Sequence, residues 1–189
     1  MANNAFFEKL KIEYKKQEGE RRQIIRRAND VLNASKKAIF ALHRDDIKGG
    51  KASLDLLTIE LKNIAKDFGQ TRADEEGAYR AATEEYLEAQ LLYASLSGKK
   101  LDRIAGLKLG AEGYLGGICD LTGELVRRAT NEAAAGRFEA VAKIKEEVSG
   151  IMAELLDFDL TGYLRTKYDQ ARTNLRRLEQ MAYEINLRR

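Results

Sequence analysis

Tyr114-Leu-Gly-Gly-Ile-Cys-Asp-Leu-Thr-Gly-Glu-Leu-Val-Arg-Arg128 reads as a helix, and a helix stacks Asp120 above Glu124, four residues apart on one face. Gly116 and Gly123 lie close to that face, with Gly117 beside them. Each glycine costs a helix about 1 kcal/mol relative to alanine. Three in one stretch therefore call for a compensating close approach by another helix or by a ligand. Two carboxylates on a small-residue surface fit a metal or phosphate site. They fit equally a packed helix with solvated acids, and this stretch alone leaves both readings open.

Working outward, the same helical periodicity fills the chain. Its 189 residues contain no proline, no tryptophan, one cysteine and one histidine, with 33% charged and 44% hydrophobic residues. A proline inside a helix costs about 3 kcal/mol, so its absence suits long uninterrupted helices. The expectation is one all-α domain over residues 1–189, an antiparallel bundle of about six or seven helices with a very long first one. No apolar run approaches the ~20 residues of a membrane span, and the lone Cys119 cannot form an intrachain disulfide. A cytoplasmic protein with no membrane partner is expected. Cys119, in an apolar run, reads as core.

The first helix is predicted from Ala2 to about Lys48, ended by Gly49-Gly50, with Ile25, Ala28, Leu32, Ser35, Ile39 and Leu42 as its buried face. Across from that face, Arg22, Arg26, Asn33, Lys37 and Arg44 recur at intervals that keep all five within about 60° of one another. They form a polar and cationic stripe about 33 Å long. Such a stripe can follow a nucleic-acid backbone through phosphate contacts; the alternative is a solvated face paired with Asp30 and other acids. His43 sits near the helix end. One histidine excludes a two-histidine acid–base nuclease and a His/Cys zinc site, so His43 reads as a polar contact or a helix-end residue.

A second helix is expected from about Ala52 to Phe68, carrying Leu54, Leu57, Ile59, Leu61, Ile64 and Ala65, with Gly69 closing it. A third runs from about Arg72 to Leu96. On it Glu85 and Glu88 are three apart and share a face with Ala78, Ala81, Ala89 and Leu92, whereas Arg80 and Glu84 point to solvent. An unpaired carboxylate on a core-like face is costly. A divalent cation shared with Asp120 and Glu124 offsets that cost, and an all-oxygen donor set without histidine suits Mg²⁺ or Mn²⁺. A di-iron centre needs Glu-x-x-His pairs that the chain lacks. Residues 98–110 read as a connection with one short helical turn at Leu101–Leu107. The Tyr114 helix runs to about Ala135, and two more follow, from about Phe138 to Leu156 and from about Thr161 to the end. The last has Tyr163, Leu164, Tyr168, Ala171, Leu175, Leu178, Ala182 and Ile185 as its apolar seam.

Charge is unevenly spread behind a formal total of +3. Residues 1–48 hold twelve Lys/Arg against seven Asp/Glu, residues 71–90 two against six, and the segment from Thr161 seven against three. Basic ends around an acidic middle fit a polyanion held over carboxylates, and fit equally helices that attract one another.

Taken together, Glu85-Tyr-Leu-Glu88-Ala89 and the Tyr114–Leu125 stretch resemble the translin/translin-associated factor X (TRAX) family, in particular its TRAX-like catalytic branch. Arg22-Gln-Ile-Ile-Arg26 through Lys37-Ala-Ile-Phe-Ala-Leu-His43-Arg44, and Leu164 through Tyr183, are similar to that family's opening and closing segments. The resemblance covers most of the chain and is weakest over residues 98–112. It implies a seven-helix fold, a closed and roughly octameric shell around RNA, and a Mg²⁺- or Mn²⁺-dependent endoribonuclease. The implied metal ligands are Glu85, Glu88 and Asp120, with Glu124 a further ligand or neighbour. The chain is compact in the manner of single-gene, archaeal-type members, which implies a homo-oligomer. Where animal relatives have a His-Arg pair before the first motif glutamate, this sequence has Glu76-Gly77, which shifts RNA contact onto Arg22, Arg26, Lys37 and Arg44. Arg127 and Arg128 are expected either in salt bridges with Glu124 or Asp120 or facing the phosphate. The competing readings are a non-catalytic translin-like binder of RNA or single-stranded DNA, and a helical protein-interaction adaptor.

Overall fold

Apolar or small residues at Ile24, Ala28, Val31, Ser35, Ala38, Ile39 and Leu42 give α1, Asn4–His43, one buried stripe along its second half. The computed structural model describes residues 4–187, so the expected helix limits at Ala2 and at the chain end lie outside the described residues. Residues 4–17 of α1 are exposed throughout, so this part of the helix stands clear of the bundle. The expected inner face is rotated slightly. Ile24 and Val31 occupy the core, while Ile25 and Leu32 are half-buried at its edge.

Gly49-Gly50 does not end α1. The helix stops at His43, Asp45 turns the chain with φ 65°, and Asp46 caps α2, Ile47–Phe68, by accepting the Gly49 N–H at 2.9 Å. Both glycines lie inside the first turn of α2. A Cβ on Gly49 would sit 2.1 Å from the capping carboxylate, and one on Gly50 would sit 2.7 Å from Leu42 Cδ2. Close packing of two helix ends, not helix breaking, is what these glycines permit. Gly69, at φ 88°, closes α2 as expected, whereas Ile59 is on its exposed side.

The third expected helix is two. α3, Gln70–Asp74, is separated from α4, Gly77–Leu96, by Glu75 and an extended Glu76. Arg72 pairs with both glutamates, at 3.2 and 2.7 Å, and Arg80 donates to the Asp74 carbonyl at 2.6 Å, so side chains hold the bend. Residues 98–110 carry no helix. Leu107 N–H bonds the Ile104 carbonyl, Gly106 has φ 79°, and the Tyr114 hydroxyl takes the Ile104 N–H at 2.7 Å, which ties the segment to the next helix.

α5, Ala111–Ala134, α6, Phe138–Leu155, and α7, Gly162–Leu187, lie close to their expected limits. In the α7 seam Tyr168, Ala171 and Leu178 are buried and Tyr163 is exposed. α1 packs on α2 and α4, α4 on α5, and α5 on α6 and α7. No strand occurs among the described residues. Tyr86 and Leu87 of α4, Leu121 and Leu125 of α5 and Leu178 of α7 are fully buried. Tyr86 keeps its hydroxyl satisfied there by Thr58 at 2.5 Å and Gln90 at 2.7 Å. Gly117 has the close approach inferred from sequence, since a Cβ there would lie 2.8 Å from Leu87 Cδ2. Gly116 and Gly123 have more room, at 3.8 and 3.5 Å from Leu164 and Asn174.

Candidate functional site

The α4–α5 contact brings two pairs of acids from opposite sides to one place. Helical spacing puts Glu85 and Glu88 on the same side of α4, and Asp120 and Glu124 on the same side of α5. Glu85, Glu88 and Asp120 line a single pocket with Lys36 and Leu32 of α1 and Lys167 of α7. The edge-of-core position of Leu32 is thereby explained. Glu84, read as solvated, is exposed and stands at the same rim.

The four acids are not equivalent. Asp120 accepts both its bonds from the Lys167 ammonium, at 2.6 and 2.7 Å. Burial works against that ammonium, yet Asp120 and the Tyr163 hydroxyl hold it above the ordinary lysine range. Glu124 lies beside the pocket and is held by His43 Nε2 and, at 3.4 Å, by Arg127. Its burial opposes ionisation, but these two partners outweigh it and keep the carboxyl below its usual range. Glu85 and Glu88 have no hydrogen-bond or ion-pair partner among the described residues. Burial, followed by repulsion from Asp120, Glu124 and Glu85, pushes Glu88 up to about 8 against a small opposing effect of Lys167. Glu85 is raised too, by burial first, with Lys36 opposing and Glu124 and Asp120 adding.

Among the described residues no group of three or more His, Cys, Asp or Glu side chains is arranged to hold a metal ion. The chemistry of the donors nevertheless fits a hard divalent cation. They are carboxylates only, crowded and repelling one another, and two of them lack an ion-pair partner among the described residues. Lys167 pairs with Asp120 and acts on Glu88 only weakly from a distance.

The α1 stripe is exposed at all five positions, Arg22, Arg26, Asn33, Lys37 and Arg44. Among the described residues no ion pair engages these four cations; Arg44 lies over the Phe40 ring at 5.6 Å. Within the same stretch of the helix Arg27 is paired instead, bound to Glu60 at 2.6 Å and Asp67 at 2.7 Å. Lys36 points into the acid pocket, so at 100° per residue the stripe borders that pocket.

Other expectations resolve individually. Arg127 pairs with Glu124, whereas Arg128 turns away to Asp45 and Glu132, both at 2.6 Å, and ties α5 to the end of α1. Cys119 is core, its thiol pushed up to about 11 by burial and by Asp120. His43 is a polar contact at a helix end, and it is buried. Sequence reasoning overlooked Lys36 and Lys167. The signal for Lys167 was present, because it sits three residues after Leu164 and four before Ala171, within the inward seam of α7.

A sequence model described as the Translin family matches residues 19–189. The translin of Gallus gallus is 28% identical over 109 residues, which is 54% of this chain and 48% of that protein. The chain thus spans about half the length of that curated relative. The crystal structure of apo-NeC3PO superposes with a TM-score of 0.86 at 26% identity, covering 97% of both chains. AfC3PO, at 20% identity, gives 0.85 over 97% of this chain and 98% of that one, and its complex with duplex RNA gives 0.85 over 97% of each. At that identity the last two establish the fold alone.

Proposed function

This chain belongs to the translin family, and from that premise we propose that it is a metal-dependent endoribonuclease that encloses RNA within a homo-oligomeric shell. The observation that carries the reading is the pair Glu85 and Glu88. Two partially buried carboxylates without partners are a standing cost to the fold, and they line one pocket with Asp120, Lys167 and Lys36, the last unpaired among the described residues. A structural neighbour solved as a duplex RNA complex supports the RNA part.

In this reading Glu85, Glu88 and Asp120 hold Mg²⁺ or Mn²⁺, with Glu124 as a further ligand or a neighbour. Bound there, a divalent ion lowers the pKa of a water and neutralises charge building on the scissile phosphate. The chain's own residues do the rest. Arg22, Arg26, Lys37 and Arg44 hold the RNA backbone through phosphate contacts, so shape and 2′-hydroxyl groups count for more than base sequence. His43 and Arg127 keep Glu124 ionised and fixed in direction. Glu88, raised to about 8, holds a proton near neutral pH and would have to give it up to serve as a ligand. Lys167 balances the charge of Asp120.

Lys167 also favours a second reading, since an acid already neutralised by lysine suits a shell that binds RNA without cutting it. Labelled RNA incubated with the purified protein in Mg²⁺ and then in EDTA separates the two. The nuclease cuts in Mg²⁺, only binds in EDTA, and loses cutting but not binding in Glu85→Ala and Glu88→Ala. Binding without cutting in either condition leaves the shell reading, and cutting indifferent to both variants removes these residues from the chemistry. Absence of any salt-sensitive RNA affinity leaves a protein-interaction adaptor.

A further inference from the structure

Asp120 is a wall shared by two cavities. Beyond the acid pocket, a separate hollow of about 320 Å³ opens between α4 and the starts of α5 and α7. Its floor is apolar, with Leu87, Leu109 and Gly116, and its rim carries Arg80, Lys108 and Tyr163. An apolar floor with a few convergent polar groups is the usual form of a small-ligand site. Glu84 and Asp120 line both cavities, so a ligand filling the hollow is in contact with the acid set.

We propose that this hollow receives one unstacked nucleoside of the RNA, next to the phosphate that lies at the acids; the inference rests on the endoribonuclease reading above. The hollow is acidic on balance, with Arg80 and Lys108 against Asp74, Glu84, Glu112 and the shared Asp120. That suits a neutral group with both donors and acceptors, as a base and ribose have, better than a second phosphate. Tyr163 supplies an aromatic ring at the mouth, 58% exposed, with its hydroxyl 3.5 Å from Glu84. The Lys167 ammonium now lies 5.2 Å from that ring while bound to Asp120. The Tyr163 ring is thus open to solvent on one side and next to the acid set on the other, and splayed bases stack on such rings.

Gly113 completes the case. It lines the hollow within α5, where glycine weakens a helix, yet apart from its chain neighbours and its own helix backbone no atom lies within 4 Å of a Cβ placed there. Neighbouring packing does not require this glycine. What it provides is the empty volume, which any larger side chain would fill.

The test uses RNA carrying 2-aminopurine at successive positions, bound to the full-length protein in EDTA so that nothing is cut. One position is expected to respond differently from its neighbours. Gly113→Leu should abolish that response while overall RNA affinity changes by less than about threefold, because backbone contacts remain. In Mg²⁺, any base preference beside the cut should disappear in the same variant. Tyr163→Ala, at an exposed position, should also remove the single-position response and carries the test should Gly113→Leu fail to fold. Equal responses at all positions, or a response that survives both variants, overturn the proposal while leaving RNA cleavage intact. If the wild-type protein does not bind RNA, the endoribonuclease reading fails first and takes the hollow's role with it.

Discussion

Glu88→Gln keeps the size and polarity of the side chain and removes only its ability to ionise. Burial, with the charges of Asp120, Glu124 and Glu85, moves this carboxyl from 4.5 to about 8. A raised carboxyl means that the folded protein retains a proton which the unfolded chain gives up. Stability is therefore full below about 4.5 and falls as pH climbs to about 8. At about 1.4 kcal/mol for each pH unit, the whole fall amounts to about 5 kcal/mol, which side-chain relaxation and water entry reduce to between about 2 and about 5. Glutamine does not titrate, so the variant escapes this fall. Thermal unfolding followed by circular dichroism in EDTA should show the two proteins melting together at pH 4 and separating as pH rises from there. At pH 9 the variant should melt higher by roughly 5–15 °C for a chain of this size. Saturating Mn²⁺ should then narrow or reverse the gap, because only the wild type regains a charge partner at this position. A difference that is constant from pH 4 to pH 9, or a variant less stable at pH 9, refutes the electrostatic reasoning.

Lys167→Met removes the two bonds to Asp120 and should cost the metal-free protein about 1–3 kcal/mol; Mn²⁺ titration followed by electron paramagnetic resonance should show tighter binding, as no ammonium has to leave. Gly117→Ala gains about 1 kcal/mol of helix propensity and loses about 1–3 by pressing on fully buried Leu87, for a net loss of about 1 in chemical denaturation. Changing Arg22, Arg26, Lys37 and Arg44 together to alanine should lower the salt dependence of RNA binding by about 3 in log–log slope, with stability altered by no more than about 0.5 kcal/mol per site.

Much of the fold is legible in the chain because helical periodicity is a local property. The limits of α5, α6 and α7 follow from glycine punctuation and from apolar residues at intervals of three and four. The errors have one cause. Gly49-Gly50 and the Arg72–Leu96 segment look respectively like a break and a continuous helix. Whether they are depends on partners outside the local window, namely the Asp46 cap, Leu42 packed against Gly50, and Arg72 gripping Glu75 and Glu76. The one-residue shift from Ile25 to Ile24 as the inner position likewise depends on where α2 and α4 lie.

For the site, spacing alone determines that Glu85 pairs in direction with Glu88 and Asp120 with Glu124, since side chains three or four apart on a helix must share a side. It also determines the exposed cationic row on α1. The tertiary structure decides what each acid experiences. Lys167 reaches Asp120 from a residue 47 positions away and His43 reaches Glu124 from one 81 away, while Glu88 receives no partner. Coulombic and desolvation energies depend on distance through space and on burial, and neither is a function of separation along the chain.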